Sequence, residues 1–495
     1  MRVLALLCIG ALLNAPARSM VSTGSSRAIG LGIDLGTSGA RLSAAVAEPH
    51  APHDPRELHA QSIKWAAAGD AASPEAWLDA VSSLLDGVPE ELCADVTGVC
   101  ASGTSGSVLA ISAVDGAVTR APRMYNWAAP KQSTAAAMVA RAAPAGHTAR
   151  APTSTLCKVL GWVLGDEEGG DAVPLDSSTE RVVHQADYVA MALAGSATPV
   201  GSDWHNALKL GYDVRAKEWP AWMTEAEGGT ESASLAAHVA PLLEALGPVR
   251  APGAVAAPRL GPRWGDRFPR ARVVSGTTDS NAAFIASGAA AEGDAVTSLG
   301  STLALKLLTS MPVEDSGRGV YSHAFFDGLY LAGGASNVGG ACIRGEGFDD
   351  AELGALESNT IALEEARLAA GDVSSPCDYY PLPRGSVGER FPTADQDKRP
   401  RLGDDDAPDR GAHLHRILCG IARVEAAGYA ALADLGAGAV RGVFSAGGGA
   451  RSPAYTAVRQ NHLGAAVRVE SLEGPAADAA FGAARLALRA PEDQC

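Results

Sequence analysis

The segment from Gly30 to Arg41 constrains the fold of this chain more than any other, because a turn of small residues interrupts an apolar run. Residues 30–35 predict a strand, residues 36–39 a turn and residues 42–46 a second strand. Asp34 lies inside the apolar run, where an isolated carboxylate costs several kcal/mol and requires a cation, a donor cluster or water. The segment therefore predicts a ligand-holding β-hairpin. The alternative is an ordinary hairpin whose aspartate is a turn residue at a strand end.

The turn itself is suited to a phosphate group. Gly36, Thr37, Ser38 and Gly39 carry little bulk, so backbone N–H groups and two hydroxyls can approach phosphate oxygens. A nucleotide-bound Mg²⁺ would supply the cation that Asp34 needs. No Gly-Lys-Ser/Thr follows, which excludes a Walker loop.

Length and composition indicate a soluble protein of two large domains, with three as the alternative. The chain has 495 residues, of which 47% are hydrophobic and 19% charged. Its 56 glycines and 5% aromatic content predict close contacts between helices and sheets. A net charge of −16 argues against a nucleic-acid partner, although a local site for an anion remains compatible with it.

The first 27 residues resemble a targeting segment. Arg2, the apolar run of residues 3–13 and the Ala15-Pro16-Ala17 exit are typical of a signal peptide, too short for a transmembrane helix. Residues 18–27 are rich in serine and lack acidic residues, as transit peptides do. Together they predict delivery to a plastid (chloroplast) and no membrane attachment of the mature form; secretion and a cytoplasmic location are the alternatives.

Eight cysteines are widely spaced along the chain. Their spacing supports neither a zinc site nor a disulfide framework, so buried free thiols are expected. They are Cys8, Cys93, Cys100, Cys157, Cys342, Cys377, Cys419 and Cys495.

Strands followed by polar loops recur along the chain. Residues 57–65 predict a third strand, and Ser73-Pro74 predicts the start of a helix. Residues 96–101 predict a buried parallel strand that enters the polar loop 102–107, where ligands of open α/β sheets bind. Further helices are predicted over 156–164 and 185–193, and the Pro- and Gly-rich residues 248–269 predict a linker or domain edge.

The second half repeats the opening pattern. Strand 271–275 leads to Asp279, and strand 295–299 enters Gly300-Ser301-Thr302 before the chain resumes as a strand. A helical stripe over 414–421 precedes strand 442–445 and Gly447-Gly448-Gly449, where a flat group such as adenine can lie against backbone. Two equivalent hairpins facing a cleft would hold a polyphosphate from both sides.

In their order, these segments resemble the FGGY carbohydrate kinases, and within them the plant and cyanobacterial sugar kinases that phosphorylate D-ribulose. The resemblance covers residues 28–488, and one departure from the family pattern is Met124-Tyr125-Asn126-Trp127. It implies an α/β fold of two actin-like (ribonuclease H-like) domains, residues 28–265 and 266–490, with ATP and sugar in the cleft between them. The matching segments are residues 32–38, 102–107, 203–207, 276–280, 299–302 and 446–449.

The resemblance also implies roles for individual residues. Asp34 would hold Mg²⁺ near the substrate, and Asp279 would contact the sugar as the general base, although it is also placed to be the N-cap of the helix that follows. ATP would contact Gly36, Thr37, Ser38, Gly300, Ser301, Thr302, Gly447, Gly448 and Gly449. The sugar would contact Ser102, Thr104, Ser105, Asp203 and Asn206, with Lys209 pointing away or pairing with Asp213.

The expected reaction is ATP-dependent phosphorylation of a free ketopentose, D-ribulose before D-xylulose and glycerol, by a monomer or homodimer. A phosphorylated substrate would require an Arg or Lys in the two sugar loops, and neither loop contains one. Another FGGY sugar or polyol kinase is the first alternative. A catalytically silent sugar or nucleotide sensor would be favoured had Asp34 or Asp279 been lost, and an actin-like or chaperone-like ATPase would need insertions for which no segment is evident.

Overall fold

The computed structural model describes residues 27–48, 51–67, 69–130, 132–166, 173–225, 230–371, 379–401 and 409–489. Residues 1–26, most of the predicted targeting segment, therefore lie outside the described residues. The strands are β1 Ile29–Leu35, β2 Gly39–Glu48, β3 Ala51–Lys64, β4 Val96–Gly103, β5 Val108–Ser112, β6 Val118–Arg123, β7 Glu180–His184, β8 Ser202–Asp203, β9 Val249–Arg250, β10 Val255–Ala257, β11 Arg272–Thr278, β12 Asp294–Leu299, β13 Leu303–Thr309, β14 Tyr321–Ala324, β15 Tyr330–Ser336, β16 Gly442–Ala446 and β17 Arg468–Ser471.

Helices connect and cover these strands. They are α1 Pro74–Asp86, α2 Glu90–Cys93, α3 Thr134–Ala142, α4 Thr155–Leu164, α5 Gln185–Ala194, α6 Trp204–Ala207, α7 Ala221–Thr224, α8 Thr230–Leu246, α9 Pro262–Gly265, α10 Asp279–Ala286, α11 Gly340–Gly345, α12 Asp350–Ala369, α13 Arg410–Asp434, α14 Pro453–Leu463 and α15 Ala479–Ala487. The predicted start of α1 is confirmed, because the Ser73 hydroxyl accepts a hydrogen bond from the N–H of Ala76 and Pro74 is the first helical residue. The helix predicted over 185–193 is α5, and it ends at Gly195, which adopts a left-handed conformation with φ 63°.

The first large sheet has the strand order β10-β11-β4-β1-β2-β3. The predicted hairpin is present: β1 pairs antiparallel with β2, and Asp34 stands opposite Arg41. β4 is the predicted buried parallel strand, and it pairs with β1 on one side and β11 on the other. The ends of β1, β4 and β11 therefore lie at the same edge of the sheet, which brings three predicted polar loops together.

The second large sheet repeats this arrangement, with the order β14-β15-β13-β12-β16-β17. β12 pairs antiparallel with β13 and parallel with β16, as β1 pairs antiparallel with β2 and parallel with β4. The predicted internal similarity of the two hairpins is thus a similarity of sheet topology. Smaller sheets β6-β5-β7 and β8-β9 accompany the two large ones.

The segment 248–269 does not separate the two sheets. It contains β9, β10 and α9, and β10 pairs with β11. The first sheet therefore continues to Thr278, past the boundary predicted at residue 265, because β11 reaches back to pair with β4. Pro262 is the first residue of α9, so the proline marks a helix start there.

Small residues allow the close packing that the composition predicts. α15 lies on β1, and a Cβ added to Gly32 would lie 2.0 Å from the carbonyl oxygen of Ala480. α15 also packs on α10, where a Cβ added to Gly482 would lie 1.8 Å from the carbonyl oxygen of Ala282. Any larger side chain at either glycine would push a helix away from its neighbour.

The cysteines of the described residues are free thiols. Cys93, Cys100, Cys157, Cys342 and Cys419 are all buried, as expected; Cys8, Cys377 and Cys495 lie outside the described residues. In the part of the chain that the structure describes, no helix has both the length and the apolar character that a membrane crossing requires.

Candidate active site

Asp34 is buried at the end of β1, with 2% of its surface exposed. The Ser102 hydroxyl donates a hydrogen bond of 2.7 Å to its Oδ1, and Oδ2 lies 3.9 Å from Nη1 of Arg41. Burial, together with the like charge of Asp279, raises the pKa of Asp34 to about 7. A bound cation would stabilise the charged forms of the Asp34 and Asp279 carboxylates, which otherwise disfavour each other. Ser102, predicted to contact the sugar, thus donates its hydroxyl to Asp34.

The turn after Asp34 is short and open. The N–H of Gly36 donates to the carbonyl of Gly39 at 3.0 Å, and both hydroxyl residues between them are exposed. A Cβ at Gly39 would lie 2.2 Å from the carbonyl oxygen of Ile63, so packing against β3 requires this glycine. A Cβ at Gly36 would meet nothing closer than 3.5 Å.

A cavity of about 250 Å³ lies between the two halves of the chain. Asp279 lines it, together with Thr37, Thr104, Ser105 and Ser280, which follow strands of the first sheet. Lys306, Tyr321 and His323 line it from the second half. The structure thus brings together predicted site residues from three separate loops, and adds residues of the second sheet that the sequence motifs did not indicate.

Asp279 is the first residue of α10, and Thr278 occupies the N-cap position. The alternative role as N-cap is therefore wrong. The Asp279 Oδ1 accepts a hydrogen bond of 2.6 Å from the N–H of Ser280, and burial raises the pKa of the carboxyl. Lys306 and Lys209 partly offset this rise by favouring the charged form.

Lys209 faces the cavity, which corrects the prediction that it points away or pairs with Asp213. Its Nζ donates to the carbonyl of Ser105 at 3.3 Å. Asp213 instead accepts hydrogen bonds from the N–H groups of Arg215 and Ala216 in its own turn. The side chain turns inward because the short segment after α6 lies beside the loop 102–107, a tertiary contact with no local sequence signal.

Lys306 is a second cation in the cavity, and sequence reasoning missed it. The available signal was a lysine within the apolar strand 303–309. Burial lowers the pKa of Lys209 to about 8. Burial, together with the charge of Lys209, lowers the pKa of Lys306 to about 7. Lys209, Lys306 and Asp279 thus place two amino groups and a carboxylate at one cavity.

Asp203 and Asn206, predicted to contact the sugar, are buried and bonded to each other. Asp203 is the N-cap of α6: its Oδ1 accepts from the N–H groups of His205 at 2.8 Å and Asn206 at 3.1 Å. Its Oδ2 accepts from the Asn206 side-chain amide at 2.7 Å. This pair is not among the residues that line the described cavity, and it shapes the segment leading to Lys209.

A second cavity of about 640 Å³ lies beside the second sheet. The predicted turn Gly300-Ser301-Thr302 lines it, as do Gly448 and Gly449. Gly447 does not; its φ of 91° and its packing against Leu299 are structural reasons for a glycine there. Sequence reasoning missed the remaining lining, which includes Gly339, Gly340, Leu353, Glu357, Leu414, Leu418 and Tyr455.

One strand pair separates the two cavities. Residues 299–303 of the β12–β13 hairpin line the larger cavity, and residues 304–306 line the smaller one. The larger cavity has apolar side chains at Leu353, Leu414 and Leu418 and a small-residue edge at the hairpin. The cavity therefore suits a ligand whose flat apolar group lies against the leucines and whose anionic tail lies at the hairpin.

No protein-family model matches the chain. Solved structures do resemble it over most of its length. A xylulose kinase from Bifidobacterium adolescentis is 21% identical, with 93% of this chain and 92% of that chain covered and a TM-score of 0.68. A gluconate kinase from Lactobacillus acidophilus is 14% identical, covering 93% and 89%, with a TM-score of 0.69.

A glycerol kinase from Plasmodium falciparum, solved with ADP, is 13% identical over 93% of this chain and 89% of that chain, with a TM-score of 0.66. The expected fold class is confirmed by these likenesses and by the two similar sheets. The chain has the two-domain, actin-like α/β fold of these carbohydrate kinases.

Proposed function

We propose that this protein is an enzyme that transfers the γ-phosphoryl group of ATP to a hydroxyl group of a small sugar. The observation that carries the proposal is the position of Asp279, a carboxylate at a small cavity that shares a hairpin with a larger one. Phosphoryl transfer requires little covalent chemistry from the protein beyond positioning, charge stabilisation and a proton acceptor.

The larger cavity would bind the nucleotide. Its leucines and Tyr455 suit an adenine, and the hairpin turn 300–302 supplies backbone N–H groups and two hydroxyls for phosphates. The glycerol kinase with ADP is a precedent for this kind of ligand in the fold. Thr37 and Ser38 of the first hairpin are exposed, Thr37 at the smaller cavity, and they would contact the terminal phosphates.

Asp34 fits the role of a magnesium ligand. Its carboxylate is buried, and its Oδ2 is beyond hydrogen-bonding distance of the neighbouring Arg41. Mg²⁺ commonly takes one or two carboxylates and completes its coordination with water and phosphate oxygens. Bound there, the ion would neutralise charge on the phosphates and lower the pKa that burial raises on Asp34.

Asp279 would accept the proton of the sugar hydroxyl. Its raised pKa makes it a stronger base than an exposed aspartate, and the lysines nearby keep it charged. Thr104 and Ser105 offer a hydroxyl each, and Lys209 offers donors, to the other oxygens of the sugar.

D-Ribulose is the acceptor we propose first, ahead of D-xylulose and glycerol. A cavity of about 250 Å³ suits a small polyol, and the motif resemblance favours this ketopentose. Lys209 and Lys306 both line the cavity. A phosphorylated sugar is therefore no longer disfavoured by a lack of cations. A xylulose or other sugar kinase remains the alternative.

The test is a coupled ADP assay of the purified protein with ATP and Mg²⁺. D-Ribulose, D-xylulose, L-ribulose, L-fuculose, glycerol and D-gluconate would be compared at equal concentrations. The highest kcat/KM is expected for D-ribulose. A highest value for glycerol or gluconate would overturn the ketopentose assignment, and no turnover with any of them would favour a non-catalytic sensor.

The plastid location is also a proposal, supported by the composition of residues 1–27. A fluorescent protein fused after residue 30 is expected to enter plastids of a plant or algal cell. A uniform cytosolic signal would show that the apolar run does not direct targeting. Whether the enzyme is a monomer or a homodimer is to be measured by sedimentation of the mature chain.

A further inference from the structure

A set of hydrogen-bond donors on the second sheet faces Asp279. In the register of the sheet, Gly333 of β15 stands between Lys306 of β13 and Tyr321 of β14. Because the middle residue has no side chain, the two flanking side chains have room above the same patch of sheet. Both line the small cavity, and so does His323 on β14.

These donors have few protein partners. The Lys306 Nζ donates to the side-chain oxygen of Asn281, whose amide nitrogen is buried without a hydrogen-bond partner. The Nε2 of His323, a residue only 3% exposed, is also buried without a partner. Buried polar atoms are normally paired, so an orphaned nitrogen at a cavity indicates a ligand that supplies acceptor oxygens.

The charges in the cavity point to an anionic ligand. The charge of Lys209 disfavours the charged form of Lys306, whereas the carboxylate of Asp279 favours the charged form of both lysines. The positive charge of Arg390 also lowers the pKa of Lys209. A group carrying negative charge between the lysines would remove this repulsion.

Lys306 also lies on the hairpin that borders both proposed ligand sites. It follows the turn 300–302, with that turn bordering the larger cavity and Lys306 bordering the smaller one. Asp279 lines the smaller cavity as well. A phosphoryl group that moves from a nucleotide at the turn to a hydroxyl at Asp279 would enter the cavity that Lys306 lines.

We propose that Lys306 is a catalytic residue that binds a non-bridging oxygen of the phosphoryl group during transfer and stabilises its charge, with His323 as a second donor. This inference rests on the proposed kinase function. In the step, the acceptor oxygen bonds to the γ-phosphorus as its proton goes to Asp279, and the bond from phosphorus to the β,γ-bridging oxygen breaks to release ADP. The metaphosphate-like group carries its charge on oxygens that a fixed ammonium can contact.

An oxyanion at Lys306 has a second possible source, an anionic substituent of the acceptor itself, such as a carboxylate. The two sources differ in kinetics. A lysine that binds the moving phosphoryl group acts on kcat with any acceptor, whereas a lysine that binds the acceptor acts on its KM.

The experiment compares Lys306→Met and Lys306→Arg with wild type and with Lys398→Met, a control in which the lysine contacts the ring of Tyr380 outside both cavities. For Lys306→Met, kcat with the best acceptor is expected to fall about 10²–10³-fold. The KM of the acceptor is expected to change by less than about threefold, because a lysine that contacts only the moving phosphoryl group does not contribute to acceptor binding. Lys306→Arg should recover part of kcat, and Lys398→Met should match wild type. A kcat within threefold of wild type, or a raised acceptor KM with unchanged kcat, would overturn the inference.

A second measurement uses the wild-type protein and does not depend on turnover or on a variant that folds. Acetylation of Lys306 by an amine-reactive reagent is followed by mass spectrometry with ADP, Mg²⁺ and orthovanadate, and separately with acceptor alone. Protection by the vanadate mixture only is expected; protection by acceptor alone, or none in either case, would contradict the inference. Failure of the proposed function would instead appear as a wild-type protein without turnover on any acceptor.

Discussion

Replacement of Gly482 by alanine tests how the packing of α15 positions the proposed base. The added Cβ would lie 1.8 Å from the carbonyl oxygen of Ala282 and 3.0 Å from the backbone nitrogen of Ala286, both in α10. Ordinary carbon–oxygen contacts are longer than 3 Å, and a backbone carbonyl within a helix cannot rotate away. The two helices must therefore separate by more than about 1 Å, and overpacking of this kind costs roughly 1–3 kcal/mol.

The same shift reaches the active site, because α10 begins with Asp279. A displacement of about 1 Å at a reacting group can lower turnover by about 10²-fold. Gly482→Ala is thus expected to lower both the melting temperature and kcat, measured by circular dichroism and by the coupled ADP assay.

Gly345→Ala is the matched stability control. Gly345 is exposed at the end of α11, is not among the residues that line the two cavities, and has nothing within 4 Å of the position that its Cβ would take. The control is expected to stabilise the protein by at most roughly 0.5–1 kcal/mol, since alanine loses less backbone entropy than glycine in a helix. A Gly482→Ala protein with wild-type melting temperature and wild-type kcat would refute the packing argument.

Two further predictions concern buried charge. The ion pair of Arg459 and Glu425 is fully buried, with both guanidinium–carboxylate hydrogen bonds at 2.7 Å, so Arg459→Met should destabilise the fold by about 3–5 kcal/mol. Addition of Glu425→Leu should restore most of that loss in thermal melts, and a double variant no more stable than the single one would contradict this reasoning. The pKa values of about 8 for Lys209 and about 7 for Lys306 lie below those of free lysine, and a bound anion favours their charged forms. Sulfate, whose own charge is constant in this range, should therefore bind more weakly as pH rises from 6.5 to 9 in calorimetric titrations; an affinity independent of pH would show that Lys209, Lys306 and Asp279 do not form an anion site.

Elements with a strong local signal were predictable. Asp34 at the end of an apolar strand, Ser73-Pro74 at the start of α1 and the stripe through Leu414 and Ile417 of α13 all lie where the sequence places them. Each depends on a pattern within one segment, either a continuous apolar run, a cap or a helical period.

What depends on distant segments was not predictable from the residues. β11 follows a Pro- and Gly-rich segment and looked like the start of a new domain, but it pairs with β4, which lies far earlier in the chain. Lys209 faces the cavity only because its segment packs beside the loop 102–107.

The measurement that tests the central claim most directly is the turnover of Asp279→Asn with D-ribulose, ATP and Mg²⁺. Asparagine keeps the size and the hydrogen-bonding capacity of aspartate but is a far weaker base. Asp115→Asn, an exchange in an exposed turn, is the matched control and should leave turnover unchanged. We expect Asp279→Asn to bind D-ribulose like wild type in calorimetric titrations while kcat falls about 10²–10⁴-fold. Wild-type turnover by Asp279→Asn would contradict the assignment of Asp279 as the proton acceptor.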